Sequence, residues 1–255
     1  GPPPAEKGDM SFSTRKTTLL VVDDDLVSRM ALGGLLKRVP GINIVEAGDG
    51  LDAWKLLEQG VRPALICSDI QMPGMGGLEL LEKARSHPVF SQVPVILISG
   101  DSKRETVHAA LSQRPAGYIV KPFDGEETRM TVKRILRGAA DAQAEKPEDT
   151  VRRLNQDFLG LKNMLEVLMD DVAREIAQLD GEAAATDRAT RIGRLRTGCL
   201  ILGLWRAAKV LAAPAGEDPG HAMLRAVLAE TKILAGEQRD RHAAEAILQA
   251  QEATI

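Results

Sequence analysis

Aromatic side chains are scarce in this protein. The 255-residue chain has seven, 3% of its length: Phe12, Trp54, Phe90, Tyr118, Phe123, Phe158 and Trp205. Five precede residue 130, so a core in the second half must be built from Leu, Ile, Val, Met and Ala. Cysteine is scarcer still. Cys67 and Cys199 stand far apart with no metal-ligand spacing, which argues against a disulfide scaffold or a zinc ribbon. No charge-free run approaches the roughly 18 residues that a membrane helix needs. No apolar stretch follows the charged start as it would in a secretory signal, so a cytoplasmic protein is expected. Gly1-Pro2 reads as the remnant of a cleaved tag, and residues 1–16 carry no apolar periodicity. Excess positive charge is missing as well. The 33 Lys and Arg face 36 Asp and Glu, a net charge of −3, which disfavours a mainly electrostatic nucleic-acid binder.

What is present is an alternation. Between Thr17 and Gly138, short apolar runs at Thr18–Val22, Ile42–Glu46, Ala64–Ser68, Val95–Ser99 and Gly117–Val120 are β-branched and apolar on both faces, as buried parallel strands are. Stretches with three-and-four spacing separate them, such as Leu26, Met30, Leu32, Leu35, Leu36 and Val39. Further helices are expected at about Ser102–Gln113 and Gly125–Arg137. Five strands alternating with five helices imply an α/β unit, a parallel sheet covered on both faces.

In such a sheet, function collects at the carboxyl ends of the strands. The first run ends in Asp23-Asp24-Asp25, the third in Asp69, the fourth in Ser99 and the fifth in Lys121-Pro122. Carboxylates, a hydroxyl and an ammonium would therefore meet on one rim. Clustered carboxylates repel one another, and a hard divalent cation such as Mg2+ relieves the repulsion. A carboxylate can also attack phosphorus, and an ammonium can neutralise charge on the phosphoryl oxygens.

The segments LLVVDDD (19–25), LICSDIQMPGMGGLEL (65–80), VILISG (95–100) and YIVKPF (118–123) resemble the receiver domain of two-component response regulators. The resemblance covers 17–138 and implies a flavodoxin-like, doubly wound fold with a five-stranded parallel sheet. It implies that Asp69 is the phosphoacceptor. It places Asp23, Asp24, Asp69 and the Gln71 backbone carbonyl around Mg2+, with Asp25 beside them. It makes Lys121 the phosphoryl-holding cation, with a cis peptide before Pro122. It assigns Ser99 and Tyr118 as a switch pair that moves on phosphorylation. A sensor histidine kinase or phosphotransfer protein would be the phosphoryl donor. The only chemistry expected is the protein's own phosphorylation and dephosphorylation.

Residues 139–150 read as a linker, with Pro147 opening a new helix. From 151 to 255 no strand pattern occurs, and an all-helical bundle for output or dimerisation is expected. Val151, Leu154, Phe158, Leu161, Leu165, Leu168 and Val172 form a heptad-type seam ended by Asp180-Gly181. Further helices are expected at about Ala183–Ala213, Pro219–Leu234 and Glu237–Ala250. The segment Gly198–Trp205 should be the most buried helical stretch. The seam suggests a homodimer, with an unknown downstream protein as partner. Three alternatives follow from particular residues. The stripe Arg188, Arg191, Arg194, Arg196, Arg206 and Lys209 could bind DNA or RNA, although this half carries 14 basic against 15 acidic residues. Its more ordinary role is a solvated helix face. His221 or His242 could relay a phosphoryl group received from Asp69.

Overall fold

The structure is a computed structural model that describes residues 16–100, 110, 112–179, 187–212 and 220–253. The chain divides into two compact units. One comprises Gly1–Glu82 with Val93–Ile135, the other Lys83–Gln92 with Leu136–Ile255.

The first unit is built on β1 (Thr17–Val22), β2 (Ile42–Ala47), β3 (Leu65–Asp69), β4 (Val95–Ser99) and β5 (Gly117–Val120). All four pairings are parallel, and the strand order is β2-β1-β3-β4-β5. Chain order reverses between β1 and β3. At such a point two adjacent strands send their connections to opposite faces and leave a crevice at their carboxyl ends. The central strands are fully buried, from Leu19–Val22 through Leu65–Cys67 to Ile96–Ile98. This burial on both faces explains why the runs are apolar at every position rather than alternating. The helices α1 (Leu26–Lys37), α2 (Gly50–Glu58) and α3 (Gly77–Ser86) follow the first three strands. Leu32, Leu36, Trp54, Leu57, Leu80 and Leu81 bury one face of each. Leu26 and Met30, on the same three-and-four series, are exposed at the start of α1. The helix expected at Ser102–Gln113 lies almost wholly outside the described residues.

The next helix, α4, runs Gly125–Gln143, so the first residues of the expected 139–150 linker are helical. Then come α5 (Pro147–Leu154), α6 (Phe158–Gln178), α7 (Arg188–Ile201), α8 (Trp205–Leu211) and α9 (Gly220–Glu252). Pro147 sits in the first turn of α5, where its missing N–H costs no helix hydrogen bond.

Three expectations for this half need correction. The seam does not lie on one helix. Asn155 adopts the left-handed conformation (φ 51°) and the Asp157 carboxylate accepts from the Gly160 N–H at 2.6 Å, which ends α5 and starts α6. The helix expected over Ala183–Ala213 is broken between Ile201 and Trp205. Gly203 has φ +71°, which a glycine adopts without a Cβ clash. Leu200 and Ile201 are therefore exposed instead of buried, while Leu202 and Leu204 turn inward. The two helices expected on either side of Gly236 are one, the 33-residue α9. A helical glycine costs about 1 kcal/mol. Here Gly236 lies against α6, where an added Cβ would come within 3.4 Å of the Met169 methyl, and packing outweighs propensity.

The seam's function also changes. Phe158, Leu161, Leu165, Leu168 and Val172 are buried, and α6 packs along α9 of the same chain. The apolar face that suggested a second copy is covered intramolecularly.

Candidate functional site

Each acid of the first strand end has a different environment. Asp23 is 1% exposed and accepts the Asp25 N–H at 2.9 Å, while its carbonyl takes the Arg29 guanidinium at 2.6 Å. Asp24 is exposed on the rim. Asp25 is not a pocket member. Its carboxylate caps α1, accepting from the Val27 and Ser28 N–H groups at 3.3 and 3.0 Å. Hydrogen bonds from Ser28 hold that carboxyl below the usual range. An acid three residues before a serine, at the head of an apolar-periodic helix, was a readable cap.

Asp69 closes β3 and is 6% exposed. One of its oxygens accepts the Gln71 N–H at 2.9 Å. The other meets the Lys121 ammonium, which also lies 2.8 Å from the Asp23 carboxylate. A single cation thus bridges two buried carboxylates that arrive from β1 and β3. Burial alone would lower the ammonium's pKa. Hydrogen bonds to Asp23 and Asp69, with their negative charge, outweigh it, and the net shift is upward. Lys121 stays protonated and is held in place. The Lys121 N–H donates to the Ser99 carbonyl at 2.8 Å, which ties the lysine to the end of β4, and the Lys121–Pro122 peptide is cis. Ser99 is buried at 2% exposure, and Tyr118, in β5, is half-buried.

Sequence reasoning passed over the glycines after Asp69. The chain from Ile70 to Gly76 folds back so that Gly77 N–H donates to the Ile70 carbonyl at 3.1 Å. A Cβ on Gly77 would fall well inside 3.0 Å of the Asp69 carbonyl oxygen, and 3.1 Å from Ser68 Oγ. A Cβ on Gly76 would lie 2.7 Å from the Ile70 carbonyl. Ser68 Oγ itself donates to the Asp69 carbonyl at 3.0 Å. The GMGG run therefore seats the start of α3 against the backbone of the central acid. A glycine pair directly ahead of an apolar helix was the available signal.

Chemically, among the described residues the rim offers carboxylate oxygens and one ammonium and no soft ligand. That donor set suits a hard, oxygen-seeking cation. Among the described residues, no three of His, Cys, Asp and Glu form a ready cation cage, because Lys121 stands between the two buried acids. Cys67, in β3, takes no part. Burial pushes its thiol up to about 12, which leaves it unreactive.

The residues of the alternative readings in the second unit lie in different settings. Arg191 is bound to Glu175 through two hydrogen bonds of 2.7 and 3.0 Å. Arg206 is buried at 8% exposure and pairs with Glu230 at 3.2 Å. Of the basic stripe, Arg191 and Arg206 are taken up by these ion pairs, while Arg194, Arg196 and Lys209 are exposed. His242 is 1% exposed and stacks obliquely on Phe158 with ring centroids 6.0 Å apart, so a phosphoryl donor has no access to it. His221 is exposed, with Nε2 3.5 Å from Arg188.

Among the described residues, no helix is long and apolar enough to cross a membrane. Residues 19–133 match the family model of the response regulator receiver domain. The chemotaxis protein CheY1 of Helicobacter pylori is 33% identical over 118 residues, covering 46% of this chain and 95% of that protein. Histidine kinase P4 of Formosa agariphila is 31% identical over 175 residues, 66% of this chain but only 12% of the kinase. A receiver domain of a signal transduction histidine kinase from Syntrophus aciditrophicus is 30% identical, covering 48% of this chain and 91% of that one, with a TM-score of 0.45. With its parallel sheet, its acid rim, the matching family model and the similarity to CheY1, the chain belongs to the response regulator receiver family of two-component signalling proteins.

Proposed function

We propose that Asp69 accepts a phosphoryl group and that this event switches the helical unit. The observation that carries the proposal is the Lys121 ammonium shared between the buried carboxylates of Asp69 and Asp23. In the transfer, an Asp69 carboxylate oxygen forms a bond to phosphorus as the bond from phosphorus to its leaving group breaks. The leaving group, the imidazole of a phosphohistidine or the carboxylate of a small acyl phosphate, departs with the electron pair of the broken bond to phosphorus. Lys121 neutralises a phosphoryl oxygen where negative charge is retained. Asp23 and Asp24, with Asp69 and the Gln71 carbonyl, would hold Mg2+. When bound, that ion supplies charge neutralisation to the transferring oxygens. Ser99, buried at the end of β4, would sense the new group, with Tyr118 on the neighbouring strand responding. Relatives of this family receive phosphoryl groups from histidine kinases or phosphotransfer proteins, and we assign the same donor class here.

The helical unit is the output. Its seam is satisfied by α9 within the chain, so its partner surface lies elsewhere, and the target is a protein rather than nucleic acid. The test is phosphorylation by phosphoramidate with Mg2+. A hydroxylamine-labile phosphoryl adduct should form on the wild type. It should be absent from Asp69→Asn, and chelation of Mg2+ should prevent it. An adduct that persists in Asp69→Asn would overturn the assignment.

A further inference from the structure

The connection between α4 and α5 is three residues long, 144–146, and its central residue is bonded on every side. The Glu145 N–H donates to the Gly203 carbonyl at 2.7 Å. The Glu145 carbonyl accepts from Gln238 Nε2 at 2.9 Å. Its carboxylate accepts from Thr150 Oγ1 at 2.9 Å, and from Arg153 through Nε at 3.1 Å and Nη2 at 2.6 Å. Arg153 Nη2 also donates to the Ile201 carbonyl at 2.8 Å. Thr150 is 0% exposed and Gln238 2%. The contact is close as well as polar, since a Cβ on Gly203 would lie 2.6 Å from the Glu145 Cβ. One residue thus holds together α5, the turn between α7 and α8, and α9. A solvated linker residue would spend these groups on water.

All of these partners belong to the second unit. The helix that delivers Glu145, α4, begins at Gly125, four residues after Lys121, and ends at Gln143. A helix is stiff along its length, and a joint closed by backbone and side-chain hydrogen bonds passes on a displacement that a free linker would absorb. We propose that Glu145 is a coupling latch: with Arg153 it fixes the far end of α4 to the α7–α8 turn, so that phosphorylation at Asp69 is felt at residues 199–206. This rests on the phosphoacceptor assignment above. Glu145 is a positioning residue and takes no part in phosphoryl transfer. The ion pair is a real electrostatic asset to the joint, since the Arg153 hydrogen bond holds the Glu145 carboxyl below its usual range.

The test measures amide hydrogen exchange in the full chain, with and without phosphoramidate-driven phosphorylation, at matched stoichiometry by intact mass. In the wild type, exchange at residues 199–206 should differ at least about fivefold between the two states, the lower end of typical coupling between sites. In Glu145→Ala and Arg153→Ala the ratio should fall to about one while phosphorylation proceeds to the same extent. Glu145→Gln, which can still accept from Thr150, should lie between. Arg153 is 39% exposed, so its truncation leaves the core intact if Glu145→Ala fails to fold. A ratio retained in both alanine variants would overturn the latch. So would a wild-type chain that is phosphorylated at Asp69 without any change at 199–206; the phosphoacceptor assignment would then stand and the latch would not. A wild-type chain that takes no phosphoryl group at Asp69 would sink the assignment, and the latch with it.

Discussion

Substituting Gly77 by alanine tests whether the backbone behind Asp69 is as tightly seated as the structure shows. The new Cβ would lie well inside 3.0 Å of the Asp69 carbonyl oxygen, where ordinary contacts begin at 3.4 Å, and 3.0 Å from the carbonyl carbon. The obstacle is main chain at the end of a fully buried strand, not the far end of a flexible side chain. Either the start of α3 or the Asp69 peptide must retreat, or the two must share a retreat, of roughly 0.7 Å or more. Overpacking of this kind costs about 1–3 kcal/mol. In a domain of this size that lowers the melting temperature by roughly 4–12 °C. Misplacing a reacting group by about 1 Å can cost on the order of 100-fold in rate, so a smaller shift should slow phosphorylation about tenfold. The Ser68 hydrogen bond to the Asp69 carbonyl, at 3.0 Å, would be strained by the same movement. Gly34→Ala is the matched control. Gly34 lies within α1, is exposed, and would place its Cβ in open space. It should stabilise by about 0.5–1 kcal/mol and leave phosphorylation unchanged. The measurements are the rate of phosphoramidate-driven phosphorylation by intact mass and thermal unfolding by circular dichroism. A Gly77→Ala protein with wild-type rate and melting temperature would refute the reasoning.

Two further outcomes concern the helical unit. Leu165→Ala removes a fully buried side chain from the centre of α6 and should cost about 2–5 kcal/mol in chemical unfolding of the full chain. Because the seam is closed within one chain, sedimentation should show the same oligomeric state before and after, and dissociation of a wild-type dimer by this substitution would contradict the fold. Acidification should loosen the same unit through two groups. Burial lowers the His242 imidazole below its ordinary value of 6.5, with Glu148 opposing, so its contribution is present above 6.5 and is lost as pH falls. Glu145 is likewise depressed, mainly by the Arg153 hydrogen bond, and its contribution is lost further down, through and below the carboxylate range. His242→Leu should flatten the first part of this decline in a pH series of urea midpoints, and an unchanged slope would speak against a buried neutral imidazole.

Much of the first unit was legible in the sequence because its information is local. A run apolar at every position can be satisfied by burial on both faces of a parallel sheet, and four of the five runs carry a candidate site residue at their own carboxyl end. That pattern alone places Asp23, Asp69, Ser99 and Lys121 on one rim. Tertiary structure alone decided which neighbours matter. Asp25 looked like a third pocket acid, but the start of α1 claims its carboxylate as a cap. Lys121 looked like a partner of Asp69, and the structure has it shared with Asp23. In the second half the signals were non-local. Gly236 reads as a helix boundary until Met169 packs against it, and Arg206 reads as surface charge until Glu230, on α9, neutralises it. Glu145 sits in a stretch that reads as polar linker, and its carbonyl is bonded by a glutamine 93 residues away. Periodicity records which face of an element is apolar. It does not record which distant group completes a hydrogen bond, and in a helical unit poor in aromatic side chains those groups set the breaks, the joints and the pairing of the helices.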